Sequence, residues 1–171
     1  NKMQLGNGKN KIYRGAENWD KSAPNKKYFK ELIRVSKNQI IWGANHFISK
    51  ISIDSSCWIV WDKGTGNNDF ADCELAWTSF DKTVRKYFKS WVGMNAKEKQ
   101  QKARIHPTQK PVDLYKWLLK NYAKKDFKIL DTHLGSGSSA IAAHAFGCEF
   151  VGAEIDQEYF NAFLKRIQPY L

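Results

Sequence analysis

The residues of this chain whose types and spacing speak most directly of chemistry are Asp131, Gly135, Gly137 and Glu154. Lys128-Ile-Leu130 reads as a short apolar strand that delivers Asp131 to its carboxyl end. Thr132 follows, and then Gly135, Ser136 and Gly137 make a tight turn. Glu149-Phe-Val-Gly-Ala-Glu154 reads as a second apolar strand that ends on an acid, about 20 residues beyond the turn. Glycines at such a turn let the backbone approach a nucleoside ligand closely, and the closing acid accepts hydrogen bonds from ribose hydroxyls. Asp131 discriminates between ligands. A dinucleotide would place its pyrophosphate beside that carboxylate, where like charges repel. S-adenosylmethionine would place an ammonium and a sulfonium there instead, which the carboxylate favours. The expectation is therefore a methyl-donor site rather than an NAD site.

These residues need elements to hold them. Ser138 onward reads as a helix through Ala140, Ile141, Ala142, Ala143 and Ala145, closed by Gly147 as its C-cap. With its two flanking strands it forms one βαβ unit. A last helix is expected over about 157–167, with Tyr159, Phe160, Phe163 and Ile167 facing the core. Upstream, residues 1–21 are polar, basic and glycine-bearing, and read as loop. Ser22-Ala-Pro24 is a helix entry, and Phe29, Leu32 and Ile33 give that helix an apolar face. Gln39-Ile-Ile-Trp-Gly43, Cys57-Trp-Ile-Val-Trp61 and Glu74-Leu-Ala-Trp-Thr-Ser-Phe80 read as strands. His46 follows the first of them without an acidic or histidine partner and is expected to be structural. Pro111 opens a helix whose apolar face is Leu114, Trp117 and Leu118, ending at Tyr122.

Charge points to a partner. Lys and Arg total 28 against 17 Asp and Glu, a formal charge of +11, and an excess of this size favours a polyanion such as nucleic acid. Residues 82–104 concentrate it in Lys82, Arg85, Lys86, Lys89, Lys97, Lys99, Lys102 and Arg104, with Tyr87, Phe88 and Trp91 interleaved. Basic side chains neutralise phosphates and aromatics stack on bases, so this segment is expected to contact nucleic acid. Cys57, Cys73 and Cys148 are odd in number and widely spaced, which argues against a disulfide framework or a cysteine zinc site and for reduced thiols in a cytoplasmic protein. No apolar run approaches the roughly 18 residues of a membrane span, and no signal peptide is visible.

The order of motifs narrows the reading. The glycine unit lies near the carboxyl end, with room for one more helix after Glu154. A half sheet cannot leave its hydrophobic edge bare, so the remaining strands must come from the residues before it. The expected fold is an α/β, Rossmann-like sheet in permuted order, forming a single methyltransferase domain over 1–171. His106-Pro-Thr-Gln-Lys-Pro111 followed by Asp131-Thr-His-Leu-Gly-Ser-Gly137 resembles the permuted class of DNA amino-methyltransferases, which methylate the exocyclic amine of adenine or cytosine. The resemblance covers most of the chain, from Gln39 to the last helix.

The resemblance implies S-adenosylmethionine as cofactor, held by the loop from Asp131 to Gly137, with Thr132 and Ser136 in it. Glu154 and Asp156 would bind ribose and flank the adenine. His106, Thr108, Gln109 and Lys110 would approach the methionine end, Lys110 facing its carboxylate. Residues 63–105 would carry target recognition, with Lys63 added to the DNA contacts. Double-stranded DNA is the implied substrate, adenine N6 the expected target and cytosine N4 the alternative; a homodimer and a cognate restriction endonuclease are candidate partners. The family usually writes Asp-Pro-Phe where this chain has Asp131-Thr-His133. The family also needs an Asp/Asn-Pro-Pro-aromatic tetrapeptide to hold the target amine, yet Pro24, Pro107, Pro111 and Pro169 are nowhere adjacent. The expectation is that this stretch, with a first strand, lies upstream of residue 1, so that no catalytic residue is visible here. A catalytically inactive nucleic-acid-binding relative and an NAD-binding protein are the competing readings.

Overall fold

A computed structural model describes residues 22–66, 71–91 and 104–171. The loop expected over 1–21, and Lys97, Lys99 and Lys102, lie outside the described residues.

The first helix, α1 (Lys26–Val35), starts where the Asn25 side chain accepts from the Tyr28 backbone N–H at 3.0 Å, a cap that satisfies one of the helix's orphan donors. Its apolar face is narrower than the sequence suggests. Phe29 is buried, whereas Ile33 is exposed. Strand β1 (Ile40–Trp42) leads through a 3-10 turn (Ala44–His46) into the short α2 (Ile48–Ile51). Strands β2 (Trp58–Asp62) and β3 (Cys73–Thr78) follow close to their expected bounds, and β4 (Arg85–Phe88) falls inside the basic segment. Helix α3 (Val112–Tyr122) buries Leu114, Leu118, Leu119 and Tyr122, a period-3.6 stripe. The glycine unit is β5 (Lys128–Asp131), α4 (Ser138–Phe146) and β6 (Glu149–Gly152), and α5 (Gln157–Ile167) closes the fold before a last 3-10 turn (Gln168–Tyr170).

The strands form two sheets among the described residues. One runs β1-β3-β2-β4, with β3 antiparallel to β1 and β2, and β4 parallel to β2. The other is the parallel pair β5-β6, with Lys128 opposite Glu149 and Asp131 opposite Gly152. Strand β4 corrects the sequence reading, which treated its residues only as a charged surface. Arg-Lys-Tyr-Phe gives little apolar alternation because β4 is an edge strand, and charge on an edge discourages further pairing.

Helix α3 ties the halves together. Its Tyr115 packs against both the cluster of Cys57, Ile59 and Ala76 and the cluster of Leu119, Ala142 and Ala143. Polar groups in the sheet core are paired: the Thr78 hydroxyl donates to the Cys57 carbonyl at 2.7 Å, and the Trp77 indole donates to the Ile53 carbonyl at 3.0 Å. Phe29 joins Ala44, Ile51 and Trp77 in a separate cluster that seats α1. Burying one such side chain contributes about 1.5–3 kcal/mol. No helix among the described residues is long and apolar enough to cross a membrane.

Candidate functional site

Strand β5 carries Asp131 to its carboxyl end, where open α/β sheets bind their ligands. One carboxylate oxygen accepts from the His133 backbone N–H at 3.0 Å, and the other from the Ser139 hydroxyl at 2.5 Å. The acid is thus oriented by its own turn and by the first turn of α4. Gly137 is the N-cap of that helix, with φ 70°, in the left-handed region that only glycine enters at no steric cost. A Cβ there would lie 2.0 Å from the Phe163 ring of α5, so the residue is glycine for two reasons. Glu154, just past β6, accepts from the Gly135 N–H at 2.7 Å and from the Asp156 N–H at 2.9 Å. The second strand's acid is therefore laced to the glycine turn, as the βαβ reading requires.

The His-Pro-Thr-Gln-Lys-Pro element and the glycine turn meet in space. The His106 ring lies against Gly135 and packs on Tyr159 with centroids 4.3 Å apart. Its Nδ1 is 3.1 Å from the Thr108 hydroxyl. Burial lowers the His106 pKa, with Lys110 acting in the same sense and Glu154 and Asp156 opposing. Gln109 is buried and braces the segment: its side-chain oxygen accepts from the Ile105 N–H, and its carbonyl accepts from the Trp91 indole. The Ser138 hydroxyl donates to the Lys110 carbonyl at 2.7 Å. Ser136 is buried beside Ser138. The Asp156 side chain caps α5, accepting from the Glu158 and Tyr159 N–H groups, so its first role is to start that helix.

A charged cluster flanks this turn. Lys110 and Lys63 both reach Glu74, at 3.2 and 2.8 Å, and the Lys110 ammonium also lies over the Trp42 ring at 5.5 Å. Burial pushes the Glu74 pKa up, but the two ammonium groups outweigh it and hold the carboxyl below its ordinary range. Tyr115 sits where its phenol senses both Asp131 and Glu74; burial first, then those carboxylates, drive its pKa far above the tyrosine range. Four contributors here escaped the sequence reading: Glu74, Tyr115, Ser139 and Arg166. The Arg166 guanidinium reaches from α5 to the Ser136 carbonyl at 2.6 Å and the Ser138 hydroxyl at 3.0 Å. Only Glu74 left a trace in the sequence, as an acid within an apolar strand.

The basic segment is partly committed elsewhere. Lys63 is held by Glu74, Lys82 donates to the Asn121 carbonyl at 2.8 Å, and Lys89 pairs with Asp113. Arg104 stacks over Trp91 and donates to its carbonyl, and Tyr87 packs on Trp117. Arg85 and Lys86 remain exposed, and Phe88 is 63% exposed beside them. Lys86 makes only a solvent-facing pair with Asp62.

A half sheet of parallel strands, a glycine turn closed by two acids, and a second sheet preceding it define a Rossmann-like methyltransferase fold in permuted order. Solved structures share it: the M1.HpyAVI–SAM complex matches at TM-score 0.60 and 22% identity over 84% of this chain and 85% of that one. TTHA0409 of Thermus thermophilus, a DNA modification methylase by its description, matches at TM-score 0.59 and 16% identity over 85% of this chain and 77% of that one. The family model for DNA methylases of the N6/N4 class spans residues 9–165, and the chain belongs to that family. Among curated relatives, the type II methyltransferase M2.DpnII of Streptococcus pneumoniae is 33% identical over 78 residues, 46% of this chain and 29% of that protein. The putative methylase YubD of Escherichia coli K12 is 34% identical over 64 residues, 37% of this chain and 28% of its own length. The aligned stretches thus span less than a third of these relatives.

Proposed function

We propose that this chain holds the methyl-donor site and part of the DNA-contacting surface of an S-adenosylmethionine-dependent DNA amino-methyltransferase acting on adenine N6. The observation that carries the reading is the Asp131 carboxylate, oriented by the His133 N–H and the Ser139 hydroxyl at the mouth of a glycine turn whose far side is laced to Glu154. The residues fit the cofactor. Asp131 suits the donor's cationic end, and Glu154 lies where a ribose would pass. Lys110, largely enclosed by Trp42 and Glu74 rather than open to solvent, supplies a positive group for a carboxylate. S-adenosylmethionine brings an electrophilic methyl group on a sulfonium; the chain's task is to orient it and exclude water. The likeness to M1.HpyAVI, solved with SAM, supports the same assignment. Against an NAD site stands the same acid, which would repel a pyrophosphate.

DNA contact is assigned to residues 63–105, with Arg85 and Lys86 on the edge strand β4 as the exposed cations and Phe88 as the exposed aromatic. The chemistry that holds the target amine is assigned to an Asp/Asn-Pro-Pro-aromatic stretch preceding residue 1 in the intact protein. The absence of adjacent prolines within the chain supports this, as do β1 and β5, each hydrogen-bonded to only one neighbouring strand among the described residues. A strand entering there would bring a catalytic loop toward Asp131. Cytosine N4 is the alternative target, because both amines present the same hydrogens and lone pair. The test is transfer of labelled methyl groups to duplex DNA by the 171-residue chain and by the intact protein, followed by nucleoside analysis. N6-methyladenine from the intact protein alone is expected. N4-methylcytosine would reassign the target, and robust transfer by the shorter chain would overturn the placement of the catalytic stretch.

A further inference from the structure

The chain writes Asp131-Thr-His133 where its relatives' pattern has Asp-Pro-Phe, and the structure gives that departure a partner. The Tyr28 hydroxyl on α1 lies 2.7 Å from the Thr132 hydroxyl, across 104 residues of sequence. Thr132 Oγ1 is in turn 3.0 Å from His133 Nδ1. The Tyr28 and His133 rings meet edge to face, with centroids 5.6 Å apart. Tyr28 is itself held firmly: its N–H is capped by Asn25, and its ring packs edge-on against the buried Phe29 at 5.1 Å. Phe29 stacks on Phe47 and seats α1 on the four-stranded sheet.

We propose that Tyr28, Thr132 and His133 form a clasp that positions the methyl-donor loop, with Tyr28 and His133 as positioning residues that act through Asp131. The proposal rests on the donor site assigned above. The chain of bonds has one consistent direction with a neutral imidazole. Tyr28 donates to Thr132, and Thr132 donates to the lone pair on His133 Nδ1. The backbone N–H of that same histidine donates to the Asp131 carboxylate at 3.0 Å. Fixing His133 therefore fixes the acid that faces the donor's cationic end. The two sheets share no strand pairing among the described residues, so a side-chain tie from α1 to the glycine turn sets their relation at the point where the donor binds. A Pro-Phe pair could make neither link, since it offers no hydroxyl and no ring nitrogen. Thr132 and Tyr28 are thus two halves of one substitution.

The experiment uses the intact protein and two readouts. The first is S-adenosylmethionine affinity by calorimetry for the parent, Tyr28→Phe, Thr132→Val and the double variant, with thermal melting of each. Losing one such hydrogen bond should weaken donor binding about 2- to 12-fold while the ligand-free melting temperature holds nearly constant. The double variant should lose no more than the worse single. His133→Asn, which keeps an acceptor near the Nδ1 position, should retain affinity that His133→Leu loses. The second readout is amide hydrogen exchange without ligand: Tyr28→Phe should speed exchange over residues 133–137 and leave Ile59 and Ala76 unchanged. Unchanged donor affinity in Tyr28→Phe, or losses that multiply in the double variant, would overturn the clasp. If the parent binds no donor, the assignment of the site fails separately, and the exchange readout alone then decides the clasp: faster exchange upholds it and unchanged exchange refutes it.

Discussion

Gly137→Ala and Gly147→Ala form a matched pair that isolates what the glycine turn demands. Both residues have positive φ, 70° and 80°, at opposite ends of the same helix α4. A side chain in that region costs about 1–2 kcal/mol. At Gly147 a new Cβ meets nothing within 4 Å, so strain is the whole effect. At Gly137 the Cβ would sit 2.0 Å from Phe163 Cδ2 and 2.4 Å from Cε2. Phe163 packs with Leu134 and Ala140 and has little room to yield. Forcing a group into such a site adds about 1–3 kcal/mol. Gly137→Ala should therefore cost about 2–5 kcal/mol in total against about 1–2 for Gly147→Ala. In a protein of this size 1 kcal/mol moves the melting temperature by about 2–4 °C, so the two variants should differ by at least a few degrees. Adding Phe163→Leu to Gly137→Ala should recover part of the gap, because it removes the ring that collides. The assay is thermal denaturation of the intact protein, with donor affinity measured alongside. Equal melting temperatures for the two alanine variants would refute the claim that Phe163 closes over the turn.

Asp131→Ala should reduce S-adenosylmethionine affinity tenfold or more, the worth of a charged hydrogen bond of about 1.5–3 kcal/mol, as read by calorimetry; unchanged affinity would remove the acid from the site. Neutralising Arg85, Lys86 and Lys89 together should lower the salt dependence of DNA binding by about two counterions, a slope change near 1.8, since Lys89 is already engaged by Asp113; a full three-counterion change would show that this pair opens on DNA. His106 has a pKa below its ordinary 6.5, so between the two values the unfolded chain binds more protons than the folded one. Its contribution to stability should be complete above about pH 6.5 and decline as pH falls through the lowered value. Chemical denaturation across that range should show this component in the parent and not in His106→Gln.

The glycine unit was legible almost residue by residue. Its strand, turn, helix and Gly147 cap are local patterns, and α5 was equally plain because its apolar residues recur at helical spacing. The meeting of His106 with Gly135 was implied only by the resemblance, since the sequence separates them by a whole helix and strand. What stayed hidden was long-range or exposed. Strand β4 is basic because it is an edge, so its sequence mimics a charged surface. The commitment of Lys63 and Lys110 to Glu74 joins three distant positions. Charge counting cannot show that such lysines are already spoken for. The same holds for Tyr87 and Trp91, whose interleaving with lysines suggested base stacking but whose rings serve Trp117 and Arg104.

The tie between Tyr28 and Thr132 also bears on the order in which the chain folds. Strand β5 pairs with β6 across about 20 positions, Lys128 to Glu149, whereas the hydroxyl pair closes a loop of 104. Chain entropy makes the longer closure dearer by about 1.5 kcal/mol, and one hydrogen bond returns little against it. The carboxyl-terminal unit is thus able to assemble early from its own contacts, with the long closure following once α1 is seated on its sheet. A folding intermediate stalled between these events would already possess the glycine turn, with the acid that gives it meaning still unaimed.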